Sequence, residues 1–175
     1  MHKLNFKKYY FLNKFKKNNI DNLDDNTSII YRNYEKENYL SNLIKLKNYC
    51  RKKGIELYLS NNFKLALKLG LDGAYIPSYN SELSHLCYNY KKNFNLIGSA
   101  HNLKEIRIKE LQKVNKIVLS SVFKKNKNYL GFYKFNLKSK FTSKEVIALG
   151  GVSKKNFKRL ELINCSSFAG ISYFE

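Results

Sequence analysis

Acidic residues, arginine and cysteine are all scarce in this 175-residue chain. It carries 13 Asp+Glu against 33 Lys+Arg, a formal net charge of +20. Such a balance attracts polyanions: nucleic acid, anionic lipid or phosphorylated metabolites. Arginine, however, occurs only at Arg32, Arg51, Arg107 and Arg159, too scattered for an arginine-built recognition surface. The lysines are spread along the whole chain and read as a solvated basic surface rather than a specific nucleic-acid site. Cys50, Cys87 and Cys165 are odd in number and contain no CxxC pair, and His2, His85 and His101 are equally dispersed. No zinc site is legible in that spacing. Reduced thiols and a cytoplasmic location are the expectation. Long apolar runs are missing too, since none approaches the ~18 residues of a membrane span. The N-terminal stretch has an apolar centre of only YYFL and no small-residue cleavage site, so it reads as a first strand.

What the chain does have is a succession of short apolar runs. They fall at residues 9–12, 28–32, 55–60, 73–77, 96–101, 116–123, 146–149 and 168–174. Each is long enough for a buried strand and too short for a helix. Helical spacing appears between them, at 38–53 (Leu40, Leu43, Ile44 and Leu46, stopped by Gly54), 63–69 (stopped by Gly70), 81–91 and 103–112. Residues 20–26 leave room for one short helix, and 129–141 read as a loop plus a short helix. Strand–helix alternation implies parallel strands and right-handed crossovers. Eight units favour a compact (β/α)8 TIM barrel with short helices and no closing C-terminal helix, in a single domain over residues 1–175. A doubly wound open sheet is the alternative. The length is small for a barrel, which usually needs ~200 residues or more.

The seventh and eighth runs stand apart. EVIALGGV stops at Gly150 and Gly151, and Ser153 then occupies an N-cap position before helical spacing at 156–163. A strand that ends in paired glycines leaves backbone N–H groups open to an anion. FAGISYF brings Ile171 and Ser172 toward the same space. In a barrel, phosphate usually sits after strands seven and eight. The candidate phosphate-binding residues are therefore Gly150, Gly151, Ile171 and Ser172.

Five segments also resemble the thiamine phosphate synthase family, which includes the related thiazole tautomerases. They are NNFKLALKLGLDGAYIP, LIGSAHN, KIVLSSVFKKNK and VIALGGVSKKNFKRL, with SIIYR preceding them in order. The resemblance implies a barrel that joins a pyrimidine pyrophosphate to a thiazole phosphate and expels pyrophosphate. It implies phosphorylated thiazole and pyrimidine small molecules as partners, and a homodimer is a further expectation. Magnesium is the cofactor it implies, held by two aspartates. At those places this chain has Asn61 and Asn80, amides that bring no charge, so no metal ligands are assigned. Asp21, Asp24, Asp25 and Glu35 are the candidate stand-ins. A lysine of the family's pattern falls on Tyr34, with Lys36 near, and its threonines after the sixth strand fall on Lys125 and Lys127. Those two lysines and Ser120 are expected to bind substrate, with Asn61, Asn80 and Arg32, the arginine after strand two. Ser99 and His101 correspond to a pair after strand five, where a tautomerase histidine moves a proton, a role suited to a group titrating near neutrality. The alternatives to synthase chemistry are tautomerase-like proton transfer and a catalytically degenerate protein that binds a phosphorylated ligand.

Overall fold

The computed structural model describes residues 6–33 and 38–175. Its strands are β1 (Lys7–Leu12), β2 (Thr27–Tyr31), β3 (Leu57–Ser60), β4 (Gly73–Ile76), β5 (Asn95–Ala100), β6 (Lys116–Ser120), β7 (Glu145–Leu149) and β8 (Ser167–Gly170). They pair in parallel and in sequential order, and β8 closes on β1 with Ala169 opposite Tyr9. The sheet is thus a closed barrel and not an open one. The helices are α1 (Lys17–Asp21), α2 (Tyr39–Lys53), α3 (Phe63–Lys68), α4 (Leu103–Leu111) and α5 (Gly131–Ser139). No helix among the described residues is long and apolar enough to cross a membrane.

Side chains alternate between the two faces of each strand, so every second residue enters the barrel. Tyr9, Phe11, Ile30, Tyr58, Tyr75, Ile97, Val118, Ile147 and Ala169 form that inner cluster. The large rings fill what short strands leave open. Tyr9 meets Tyr58 edge-on at 6.0 Å between centroids, and Phe11 meets Tyr75 at 5.2 Å. Their opposite neighbours, such as Tyr10, Ile29, Leu57 and Leu59, pack outward against the helices.

Economy in the crossovers explains how the barrel fits this length. Two of them use 3-10 turns, Ser84–Cys87 after β4 and Phe157–Leu162 after β7. Both correct the helices expected at 81–91 and 156–163. In the second case Ser153 caps nothing. The Asn156 side chain accepts from the Ser153 amide at 2.9 Å and donates to the Gly151 carbonyl at 2.8 Å, a local loop that competes with helix formation. Within 129–141, residues 131–139 form a nine-residue helix with non-helical residues on both sides, in line with the loop plus short helix expected there. In α2 the inward face is Leu43, Leu46 and Cys50, while Leu40 and Ile44 are 49% and 39% exposed. Gly54 ends that helix at φ +68°, where its amide and that of Ile55 close on the Arg51 and Cys50 carbonyls.

Candidate functional site

The C-terminal strand ends surround one mouth. On one side lie β7 and β8, paired up to Leu149 opposite Ala169. Beyond them the chain turns at Gly150 and Gly151, with φ of +107° and +77°. A Cβ at Gly150 would stand 2.2 Å from Ser121 Oγ, and one at Gly151 would stand 2.7 Å from the Lys124 amide nitrogen. Only glycine fits both positions. The loop after β6 presses against this turn because the Phe123 and Lys124 amides donate to the Gly150 carbonyl at 2.8 and 3.1 Å. Among the described residues, no backbone carbonyl accepts from the Gly151, Ile171 or Ser172 amides. The expected residues therefore converge at adjacent strand exits, and the Ile171 side chain joins the inner cluster.

Arg32 follows β2 on the other side of the mouth. Its guanidinium carbon lies 5.2 Å from the Phe11 ring centroid, over the aromatic floor, and its Nε donates to Asn13 Oδ1 at 3.4 Å. Arg32, Asn33, Tyr39, Ser60, Asn61 and Tyr79 help line a cavity of about 230 Å³. Asn61 (φ +56°) hangs from the β4 exit through its amide, which donates to the Tyr75 carbonyl at 2.8 Å. Its Oδ1 accepts from Asn80 Nδ2 at 2.7 Å, while Asn80 Oδ1 accepts from the Glu82 amide at 2.9 Å. The two amides thus come together through one hydrogen bond, with Asn80 as donor and Asn61 as acceptor. They also face an adjoining cavity of about 200 Å³ whose lining includes Tyr75, His85 and Tyr88.

Magnesium does not fit this donor set. Neither oxygen carries charge, and each already accepts a hydrogen bond. Among the described residues no group of three His, Cys, Asp or Glu side chains is placed to hold a metal ion. The proposed stand-ins are engaged elsewhere: Asp21 pairs with Lys53 and Tyr49, and Asp24 with Lys8 and Thr27. Asp25 lies beside Asp24, in the turn that leads into β2. Tyr34, Glu35 and Lys36 lie outside the described residues.

The remaining candidates divide. Ser99 and Ser120, both buried, follow Ile97 and Val118 by two residues and so stand at the inner top of β5 and β6. His101 instead serves the start of α4. Its amide donates to Glu105 Oε2 at 2.7 Å, its ring Nδ1 lies 2.9 Å from the same oxygen, and its carbonyl accepts from Lys138 Nζ at 2.6 Å. Asn102 caps the helix by accepting from the Glu105 amide at 2.9 Å. Lys125 and Lys127 are exposed on the β6–α5 loop and do not line the cavity shared by Arg32 and Asn61.

Three residues at the mouth escaped the sequence reading. Glu105 was legible in the Asn102-x-x-Glu105 spacing of a capping box. Lys124 stands nearer the glycine turn than Lys125 or Lys127, its Cβ 3.2 Å from where a Gly151 Cβ would be, and its ammonium has no ion pair or hydrogen bond among the described residues. Lys109, fully buried on α4, reads in sequence as one more solvated cation. Only Gly98, an interior strand glycine, hinted at something packed close against it.

No curated protein matches the chain. Among solved structures, a thiamine phosphate pyrophosphorylase from Pyrococcus furiosus superposes with a TM-score of 0.77 at 17% identity, over 97% of this chain and 87% of that one. FabK from Thermotoga maritima gives 0.69 at 10% identity, over 98% and 60%. The putative copper homeostasis protein CutC from Streptococcus agalactiae gives 0.68 at 13% identity, over 96% and 99%. At these identities the likeness is one of fold, and it agrees with the closed barrel. Residues 22–174 match the family described as thiamine monophosphate synthase. With the barrel, its glycine-turned β7 exit and a match over most of its length, this chain belongs to the thiamine monophosphate synthase family.

Proposed function

We propose that the chain is a thiamine phosphate synthase-type transferase. Thiazole phosphate sits with its phosphate on the Gly151, Ile171 and Ser172 amides, flanked by the Lys124 ammonium. The thiazole ring nitrogen forms a bond to the methylene carbon of the pyrimidine pyrophosphate, and the bond from that carbon to the pyrophosphate oxygen breaks. Negative charge that builds on the leaving group faces Arg32, with the Asn61 and Asn80 amides beside it. The aromatic floor of Phe11 and Tyr75 keeps water from reaching the reacting carbon from below. The observation that carries this reading is the pairing of β7 with β8 up to Leu149 and Ala169, which sets amides without a backbone partner among the described residues side by side at one mouth.

Purified protein incubated with both substrates is expected to form thiamine phosphate, with little change when a chelator is added. Gly151→Ala forces a side chain onto the Lys124 amide and is expected to weaken thiazole phosphate binding at least about tenfold, as lost charge-assisted hydrogen bonds do. Normal thiazole phosphate binding without any condensation would sink the transferase reading and leave the phosphate site intact.

The contact between Asn61 and Asn80 favours a second reading, in which the same cradle binds thiazole phosphate alone. Asn80 spends a donor on Asn61 Oδ1 and its own Oδ1 on the Glu82 amide, which leaves less of the pair open to a leaving group. His101 would then be the acid–base group of a tautomerase-like proton transfer, or the protein would only bind its ligand. Isomerisation of the thiazole phosphate that disappears in His101→Ala supports the former, and binding without isomerisation supports the latter.

A further inference from the structure

The mouth contains one element that neither the family match nor the reading above uses. Lys109 is fully buried on α4, and its stem crosses Gly98 of β5, where an added Cβ would lie 2.8 Å from Lys109 Cδ. Its Nζ donates to the Pro77 carbonyl at 2.8 Å, the Asn80 carbonyl at 2.6 Å and Gln112 Oε1 at 2.9 Å. Gln112, equally buried, donates through Nε2 to the Asn80 and Glu82 carbonyls at 3.1 and 2.8 Å. Its own carbonyl receives His85 Nε2 at 2.8 Å. Two side chains, Lys109 on α4 and Gln112 at its C-terminal cap, thus hold three carbonyls of the turn that follows β4. That turn carries Asn80, whose amide reaches Asn61.

A buried ammonium is costly unless fully hydrogen-bonded, so three acceptors at one nitrogen make the arrangement specific to a single loop conformation. A loop freed from these contacts retains one backbone bond across it, Asn80 amide to Pro77 carbonyl at 3.1 Å. We propose that Lys109, with Gln112, is the positioning residue of the leaving-group half of the site: it fixes the Asn80–Asn61 pair where pyrophosphate binds, and has no part in holding the thiazole phosphate. This rests on the functional reading given above. It explains why the helix expected after β4 is replaced by a turn, because the carbonyls that would start a helix are committed to α4. Burial pushes the Lys109 ammonium down to about 8, with the Glu105 carboxylate opposing. The neutral amine has two protons for three acceptors, so the grip on the loop loosens as the group deprotonates.

The test is calorimetry on the full chain with two probes, inorganic pyrophosphate and thiazole phosphate, on wild type and on Lys109→Met, which keeps the stem and removes the ammonium. The expected result is at least about a tenfold loss of pyrophosphate affinity, the effect of losing a charged donor network, with thiazole phosphate affinity unchanged within about twofold. Equal affinities in wild type and Lys109→Met for both probes would overturn the positioning role while leaving the functional reading in place. A parallel loss of both probes would also overturn it, since that marks a general loss of structure. Failure of wild type to bind either probe would overturn the functional reading and this proposal together. Should Lys109→Met not fold, wild type alone decides through a pH scan from 7 to 9.5. Pyrophosphate affinity falls over that range while thiazole phosphate affinity does not, and a flat pyrophosphate profile overturns the proposal. Glu105 on α4, Glu82 on the held turn and His85 on the 3-10 turn are the other titratable groups around the loop, and where Lys109→Met folds the same scan on it separates Lys109 from them.

Discussion

Glu56 stands at the end of the barrel away from the mouth, just before β3. Ser28 donates to its Oε2 at 2.6 Å, Lys7 Nζ lies 3.0 Å from the same oxygen, and Tyr58 reaches it at 3.4 Å. Burial pushes this carboxyl up, but the Ser28 hydrogen bond and the Lys7 ammonium outweigh it and hold the group below its ordinary range. A carboxyl depressed in the folded state contributes stability above its unfolded value, and that contribution disappears as pH falls through the folded one. Denaturant titrations of wild type and Glu56→Gln should therefore differ at pH 7 and converge below about pH 4, the lower carboxylate range. A gap that persists at low pH would mean that packing, not charge, accounts for the difference. Burial, together with the same carboxylate, pushes up the pKa of the Tyr9 and Tyr58 phenols that fill the barrel, which suppresses their ionisation and keeps the core neutral.

Elements at the mouth are set by caps and stops more than by propensity. Helix α4 begins on Asn102, and Asn102 with Glu105 forms a reciprocal pair in which Asn102 Nδ2 also donates to Glu105 Oε1 at 2.7 Å. Asn102→Ala should cost about 1 kcal/mol, typical of a lost N-cap, and lower the melting temperature by about 2–4 °C for a chain of this size. Thermal unfolding checks it, and no change would mean that Glu105 holds the helix start through His101 alone. The sequence made this element legible because its signals are local: Asn102, Glu105 and the apolar spacing all lie within one turn or two. Strand positions and the stops at Gly54 and Gly70 were legible for the same reason. The turn after β4 was not, because its conformation is imposed by Lys109 and Gln112, about thirty residues further along the chain. The inward face of α2 was half legible. Leu43 and Leu46 face the core as expected, but the stripe continues to Cys50 and leaves Leu40 and Ile44 outside. The mutual bond of Asn61 and Asn80 was beyond reach for sequence reasoning, which placed both at the mouth without saying that they touch.

At the scale of the whole molecule, the +20 charge and the mouth are separate features. Most lysines decorate the exterior, whereas the proposed phosphate site would rely on backbone amides beside one lysine. The two should respond differently to salt. A short DNA duplex held by exterior lysines is expected to be released as salt rises from 50 to 200 mM, the steep loss that counterion release produces. Thiazole phosphate should stay bound over that range, because it exchanges few counterions. Filter binding for the duplex and calorimetry for the small molecule check both, and duplex binding that survives 200 mM salt would point to a nucleic-acid site after all.

Closure of the barrel joins its first strand to its last, with Lys7 opposite Ser167 and Tyr10 opposite Gly170. During synthesis β1 therefore keeps one hydrogen-bonding edge open until β8 has been made. Tyr9, Tyr10, Phe11 and Leu12 are exposed along that edge in the meantime, a short sticky ribbon without its final neighbour. A chain stalled before Ser167 holds an unfinished cylinder whose first strand lacks one partner.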